Sequence, residues 1–264
     1  MKKLTIPILA AFGVAALFPA CKKSSKEVVE NEISVSALTQ IKSLGFSTQN
    51  VQKLPEGYLV EGDIILTNAQ LSSPPSSVNL IIANEEQYRT INLVTRLPRP
   101  ITVSTETGVS QAFSDAVNAA IDRYNAENLR LTFSRGASGG SDINIRLVNT
   151  GQYIASSGFP SSTGNPYSEI KYANKYANYS KGFMTTVIAH ELGHCIGFRH
   201  TDYMRRSYSC GIGGNEGAST VGAIHIDGTP TGPDPNSWML ACLSSTTDRP
   251  FNANDKIALA QLYK

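Results

Sequence analysis

Residues 190–200 read His190-Glu191-Leu192-Gly193-His194-Cys195-Ile196-Gly197-Phe198-Arg199-His200, and this one stretch holds three of the chain's 4 histidines. On a helix, residues four apart leave the same face about one turn apart, so His190 and His194 can address a single point. Gly197 lets the chain leave the helix in a conformation that a Cβ resists, and His200 then swings back as a third nitrogen ligand. Three such ligands leave one position of a tetrahedral zinc open to water, the arrangement of a catalytic site and not of a structural one. Glu191, beside the first ligand, is placed to take that water's proton. A helix carrying solvated polar residues would explain none of these fixed positions. His190, His194 and His200 are therefore the expected ligands of one Zn2+, and Glu191 the expected catalytic residue.

The stretch satisfies H-E-x-x-H-x-x-G-x-x-H without a gap, the extended signature of the metzincins. Downstream, Asn236-Ser237-Trp238-Met239-Leu240-Ala241 resembles the Met-turn that floors a metzincin zinc site, with Met239 as the floor residue. Met1 and Met184 precede the motif, and Met204 follows His200 too closely to allow the intervening loop. Residues 251–263 read as a polar N-cap cluster followed by an apolar helix, similar to the closing helix of metzincin catalytic domains. From about residue 95 onward the chain thus resembles the metzincin zinc endopeptidases. Within them it looks most like the bacterial dual-action HEIGH metallopeptidases, with Leu192 where that name has Ile.

The resemblance implies an α+β fold: a metzincin-like zinc protease domain with a twisted mixed sheet, packed helices, an active-site helix and an irregular lower subdomain across a cleft. It implies a zinc-dependent endopeptidase acting on protein or peptide substrates. Astacin-like members carry a tyrosine as an extra zinc ligand shortly after the Met-turn. Here Leu240, Ala241 and Cys242 follow, so no such tyrosine is assigned. A metzincin shell kept as a catalytically inactive binding or adhesion lipoprotein would be expected to have lost the glutamate or a ligand, and all four are intact. A zinc hydrolase of a non-peptide substrate is the other alternative.

The expected organisation is a targeting segment at 1–20, a linker and propeptide-like segment at 21–94, and the catalytic domain at 95–264. Lys2 and Lys3 precede an apolar run at 4–18, then Ala20 and Cys21. This resembles a bacterial lipoprotein signal in which Cys21 becomes the lipidated first residue, although leucine stands one position further out than usual. It implies export to the cell envelope, at the outer membrane, on an N-terminal lipid anchor. Plain secretion is one alternative, and a transmembrane anchor is another, but the apolar run is at the short limit for spanning. Lys plus Arg number 23 against 21 Asp plus Glu, so no charge excess points to nucleic acid.

Export permits disulfides, and Cys195, Cys210 and Cys242 allow three single pairings. Cys210 with Cys242 is preferred because it would tie the loop after the third ligand to the Met-turn. Cys195, inside the active-site helix, reads as a small buried residue. Astacin-like propeptides carry a Phe-x-Gly-Asp motif whose aspartate caps the zinc, and Val60-Glu61-Gly62-Asp63 is similar, with Val for Phe. That resemblance makes Asp63 a latency switch; the competing reading is a Gly-Asp turn in a small β element. Cys21, if lipidated, cannot easily serve as a cysteine switch.

Local patterns place the other elements. A helix is expected at 33–44, a strand with a turn at 57–66 and a loop at 72–77. Strands are expected at 100–104, 129–133, 143–147 and, as the edge above the cleft, 153–159, with a helix through 109–124. The Gly-rich stretch 136–140 reads as a hairpin connection, 184–196 as the active-site helix, and 211–236 as a long irregular loop containing a solvated His225.

Overall fold

The computed structural model describes residues 33–44, 46–72, 87–211, 223–230 and 234–264. The targeting run, Cys21, the Pro74-Pro75 loop and much of the 211–236 loop lie outside the described residues.

Helix α1 (Val35–Ser43) starts where the Ser34 hydroxyl accepts from the Ala37 amide, and it buries Ala37 and Ile41. Strands β1 (Gln52–Leu54), β2 (Gly57–Val60) and β3 (Ile64–Thr67) form an antiparallel sheet, followed by α2 (Asn68–Ser72). Ile41, Leu44, Phe46, Val60, Ile64, Leu66 and Leu71 cluster with Phe159 from much later in the chain. The segment thus buries its few apolar residues partly on the body that follows. The expected strand with a turn is the β2–β3 hairpin, whose tip is Glu61-Gly62-Asp63.

Strand β4 (Tyr88–Arg89) opens the body, followed by β5 (Arg99–Thr105), α3 (Gln111–Asn125), β6 (Leu131–Arg135), β7 (Ile143–Val148), β8 (Ala155–Ser156) and β9 (Glu169–Ala173). The large sheet runs β6-β5-β7-β9-β8, parallel except for β8, which is antiparallel to β9. The chain continues through α4 (Lys181–Ile196), β10 (Phe198–Arg199), α5 (Ser207–Cys210), β11 (Ile224–His225) and α6 (Ala253–Tyr263). Ile101, Val103, Ile143, Ile145 and Ile170 of the sheet share one core with Phe113, Val117 and Ile121 of α3 and Met184, Ile188 and Leu192 of α4. Every residue of α4 from Phe183 to Ile196 is buried, so His190, Glu191 and His194 lie in the interior with its apolar residues.

Four expectations are corrected. The 136–140 stretch is no hairpin: β6 and β7 both run parallel to β5, on opposite sides of it. They meet it over consecutive stretches, Arg99–Val103 and Val103–Thr105, so the chain switches sides without reversing. The edge strand shrinks from 153–159 to Ala155–Ser156, and Ser157 bridges to Ile64. Strand β9 is an unexpected member, although Glu169-Ile170-Lys171-Tyr172 alternates. The 211–236 loop is not wholly irregular, since β11 and β10 flank β4 in a second three-stranded sheet.

Candidate metal centre

Helix α4 begins at Ser180, whose hydroxyl accepts from the Phe183 amide, and ends at Gly197 with φ 113°. A side chain at Gly197 would face strain from that φ and stand 2.7 Å from Leu93 Cδ2 and 3.0 Å from the Asn92 carbonyl oxygen. The reversal sends the chain into β10, and His200 follows. His190, His194 and His200 thereby converge, with His194 Nε2 3.3 Å from His200 Nε2. Asp63 joins them: one ligand atom from each of the four residues lies within 4.8 Å of the others.

The outer nitrogens fix the tautomers. His190 Nδ1 lies 2.9 Å from the Trp238 carbonyl oxygen and His194 Nδ1 2.8 Å from that of Phe198. A carbonyl oxygen only accepts, so each Nδ1 carries the proton and each Nε2 turns a lone pair inward. His190 Nε2 is buried with no hydrogen-bond partner among the described residues. An inward lone pair without a donor, inside a converging set of nitrogens and a carboxylate, fits a bound metal cation.

The two carboxylates differ in character. Burial, then the nearby Asp63 charge, pushes Glu191 well above the usual carboxylate range, against a hydrogen bond from Ser157. Burial works against the Asp63 charge too, but the His200 charge, with the imidazole nitrogens of His190 and His200 close to the carboxylate, outweighs it and holds Asp63 well below that range. Burial, followed by the other two imidazoles, holds His194 well below the usual histidine value. Ser157 Oγ donates to Glu191 Oε2 at 2.6 Å.

Asp63 arrives on the hairpin tip. Its Oδ2 lies 3.1 Å from His200 Nε2 and 3.6 Å from His190 Nε2. The tip is docked by backbone: the Ser157 amide donates to the Asp63 carbonyl at 2.9 Å and the Ile65 amide to the Ser157 carbonyl at 2.6 Å. It is also docked by charge. Arg199 Nη2 donates to both carboxylate oxygens of Glu61, at 2.8 and 2.9 Å, and Arg206 donates to the Glu61 carbonyl.

Met239 lies under the site, fully buried; a Cβ added at Gly193 would come within 2.6 Å of its Sδ. Its carbonyl accepts from the Thr201 amide at 2.9 Å, tying the turn to the residue after His200. Asp255, in the capping box of α6, accepts from the Trp238 amide and from Gln87. Burial raises Asp255 to about 6 despite these bonds. Cys210 is bonded to Cys242, 32 residues apart. Next to that bridge Asp202 accepts from the Ala241 amide at 3.0 Å. Cys195 is free and buried. His225 stands outside the ligand group; its Nε2 lies 2.9 Å from Thr229 Oγ1.

Four contributors lay beyond the motif reading: Ser157, Glu61, Asp202 and Asp255. Glu61 and Arg199 sat in stretches already singled out, but only folding joins positions 138 residues apart. A cavity of about 210 Å³ adjoins His190, Glu191 and Asp63, walled by Val187, Ile154 and Leu240.

A family model described as the dual-action HEIGH metallopeptidases matches residues 59–263. None of the curated proteins matches the chain. Two solved structures of myroilysin are similar to it. One has a TM-score of 0.44 at 16% identity, covering 65% of this chain and 82% of that one. The other has a TM-score of 0.43 at 14% identity, covering 76% of this chain and 98% of that one.

Proposed function

Because the chain belongs to the dual-action HEIGH metallopeptidases, we propose that its site holds one zinc ion, cleaves internal peptide bonds, and is kept latent by the chain's own N-terminal segment. The observation that carries the reading is the convergence of His190, His194, His200 and Asp63 on one point. Tetrahedral zinc with nitrogens at about 2.0–2.1 Å sets ligand nitrogens roughly 3.3 Å apart. The 3.3 Å between His194 Nε2 and His200 Nε2 agrees with that spacing. When bound, the ion supplies Lewis acidity, which acidifies water and polarises the scissile carbonyl.

The chain's own residues do the rest. Glu191 takes the proton from water and passes it to the leaving amine, the shuttle that a positioned carboxylate supplies. Ser157 serves twice: its hydroxyl holds Glu191, while its amide and carbonyl face the cleft, where an extended peptide would pair by strand addition. In the latent chain the hairpin takes those backbone groups and Asp63 takes the position water needs. We set the boundary of the latency segment before Gln87 and not at 94, since β4 pairs with β10 of the metal motif.

The protein should clear denatured casein once activated. A chelator should stop it, and stoichiometric zinc should restore it. Cleavage unaffected by metal removal would refute the zinc reading. Ser157→Ala should lower kcat about ten-fold, the worth of a hydrogen bond to a charged group, with KM little changed and Ser157→Thr recovering part of the loss. An unchanged kcat would remove Ser157 from this role.

The N-terminal sequence supports a cell-envelope lipoprotein, anchored at the outer membrane through lipidated Cys21. Labelled palmitate should enter the wild-type chain and not Cys21→Ala, which should leave the membrane fraction; equal labelling of both would end the proposal.

A further inference from the structure

Arg199 lies inside the metal motif, one residue before His200, yet nothing in the chemistry above uses its side chain. It sits on β10, which pairs with β4, so it belongs to the catalytic body and stays when the N-terminal segment leaves. Its guanidinium is wholly buried, as is the Glu61 carboxylate it holds. It stacks over the ring of Phe46 at 4.6 Å and near that of Tyr203 at 5.5 Å. Arg199 Nε and Nη1 have no hydrogen-bond partner among the described residues. Of these neighbours, Glu61 and Phe46 come from the segment, and only Tyr203 comes from the body.

Departure of the segment therefore leaves a permanent cation, beside the third histidine, without its carboxylate. Arginine stays charged at any physiological pH, and its planar fork is shaped for carboxylates. A buried charge stripped of its partner is strongly unfavourable until an anion or water replaces it. Two of the three guanidinium nitrogens are already unused, so a differently angled carboxylate could engage more of the fork than Glu61 does.

Resting on the latent-peptidase reading, we propose that Arg199 is the base of a carboxylate-binding subsite beside the metal centre. Glu61 fills it in the latent chain, and an acidic group of the substrate fills it in the active enzyme. Glu61 and Asp63 are two residues apart, and one reaches Arg199 while the other reaches the histidines. The acidic group accordingly lies within about three residues of the bond cleaved, the span set by β-strand spacing. It is either an Asp or Glu side chain or the free C-terminus of a short peptide.

The test uses the full chain carrying Glu61→Ala and Asp63→Ala, which empties both positions. Matched peptides that differ only as Glu or Gln at each position near the cleaved bond are compared, with free and amidated C-termini. At one position kcat/KM should favour Glu by about ten-fold or more, because a site built around a charge rejects the neutral isostere. If the preference instead follows the free C-terminus, the terminal carboxylate is the ligand. Arg199→Gln should level the pair, and Arg199→Lys should keep part of the preference. If Arg199→Gln does not fold, the Glu/Gln and free/amidated comparisons on the Arg199 enzyme still decide. Cleavage with neither preference overturns the subsite and leaves the peptidase reading standing. No metal-dependent cleavage of any peptide overturns both.

Discussion

Asp63→Ala in the full-length chain is expected to raise casein hydrolysis by roughly ten- to a hundred-fold over wild type. That range corresponds to losing one charged contact of about 1.5–3 kcal/mol. The physical case rests on competition for one position. Asp63 Oδ2 lies 3.1 Å from His200 Nε2, inside the ligand set, and its carbonyl occupies the Ser157 amide. Alanine keeps that backbone contact and the Glu61–Arg199 ion pair but returns the fourth ligand position to water. Activation should therefore be substantial but incomplete, and Asp63→Asn should give less of it. Casein turnover of the purified precursors measures this directly. A wild-type precursor as active as the variant would mean that Asp63 does not confer latency.

Glu191→Ala on the Asp63→Ala background should lower kcat by about 10²–10⁴-fold, the range general acid–base catalysis supplies. Bound zinc, read by elemental analysis, should stay near one per chain, because all three imidazoles and their carbonyl partners at Trp238 and Phe198 are untouched. The two readouts must separate. Loss of metal together with activity would make Glu191 a structural support of the site, and retained turnover would remove it from the chemistry.

The metal centre was legible because its chemistry is local. Two of the three clustered histidines share one helix face, and Gly197 marks the turn that returns the third. Met239 was singled out by resemblance, and the Cys210–Cys242 pairing by where the two cysteines stand along the chain; in the structure Met239 Sδ lies against Gly193 and the two cysteines are bonded. The sheet was legible strand by strand, through Ile101, Val103, Ile143 and Ile145, but not in its order. Nothing in 136–140 tells a hairpin from a crossing, since that depends on where β6 and β7 meet β5. Ser157 was hidden for a related reason. Its role depends on a hydroxyl meeting Glu191 34 residues away, and a serine at a strand edge carries no local signal of that. Glu61 and Arg199 are the sharpest case, two ordinary charged residues whose importance lies wholly in their being buried together.

Zinc-edge anomalous diffraction from crystals of the full-length protein tests the central claim most directly. It should give one peak within bonding distance of His190 Nε2, His194 Nε2 and His200 Nε2, with an Asp63 carboxylate oxygen as the fourth ligand. A peak at another place, or one at these histidines with Asp63 turned away and water in the fourth position, would contradict the account.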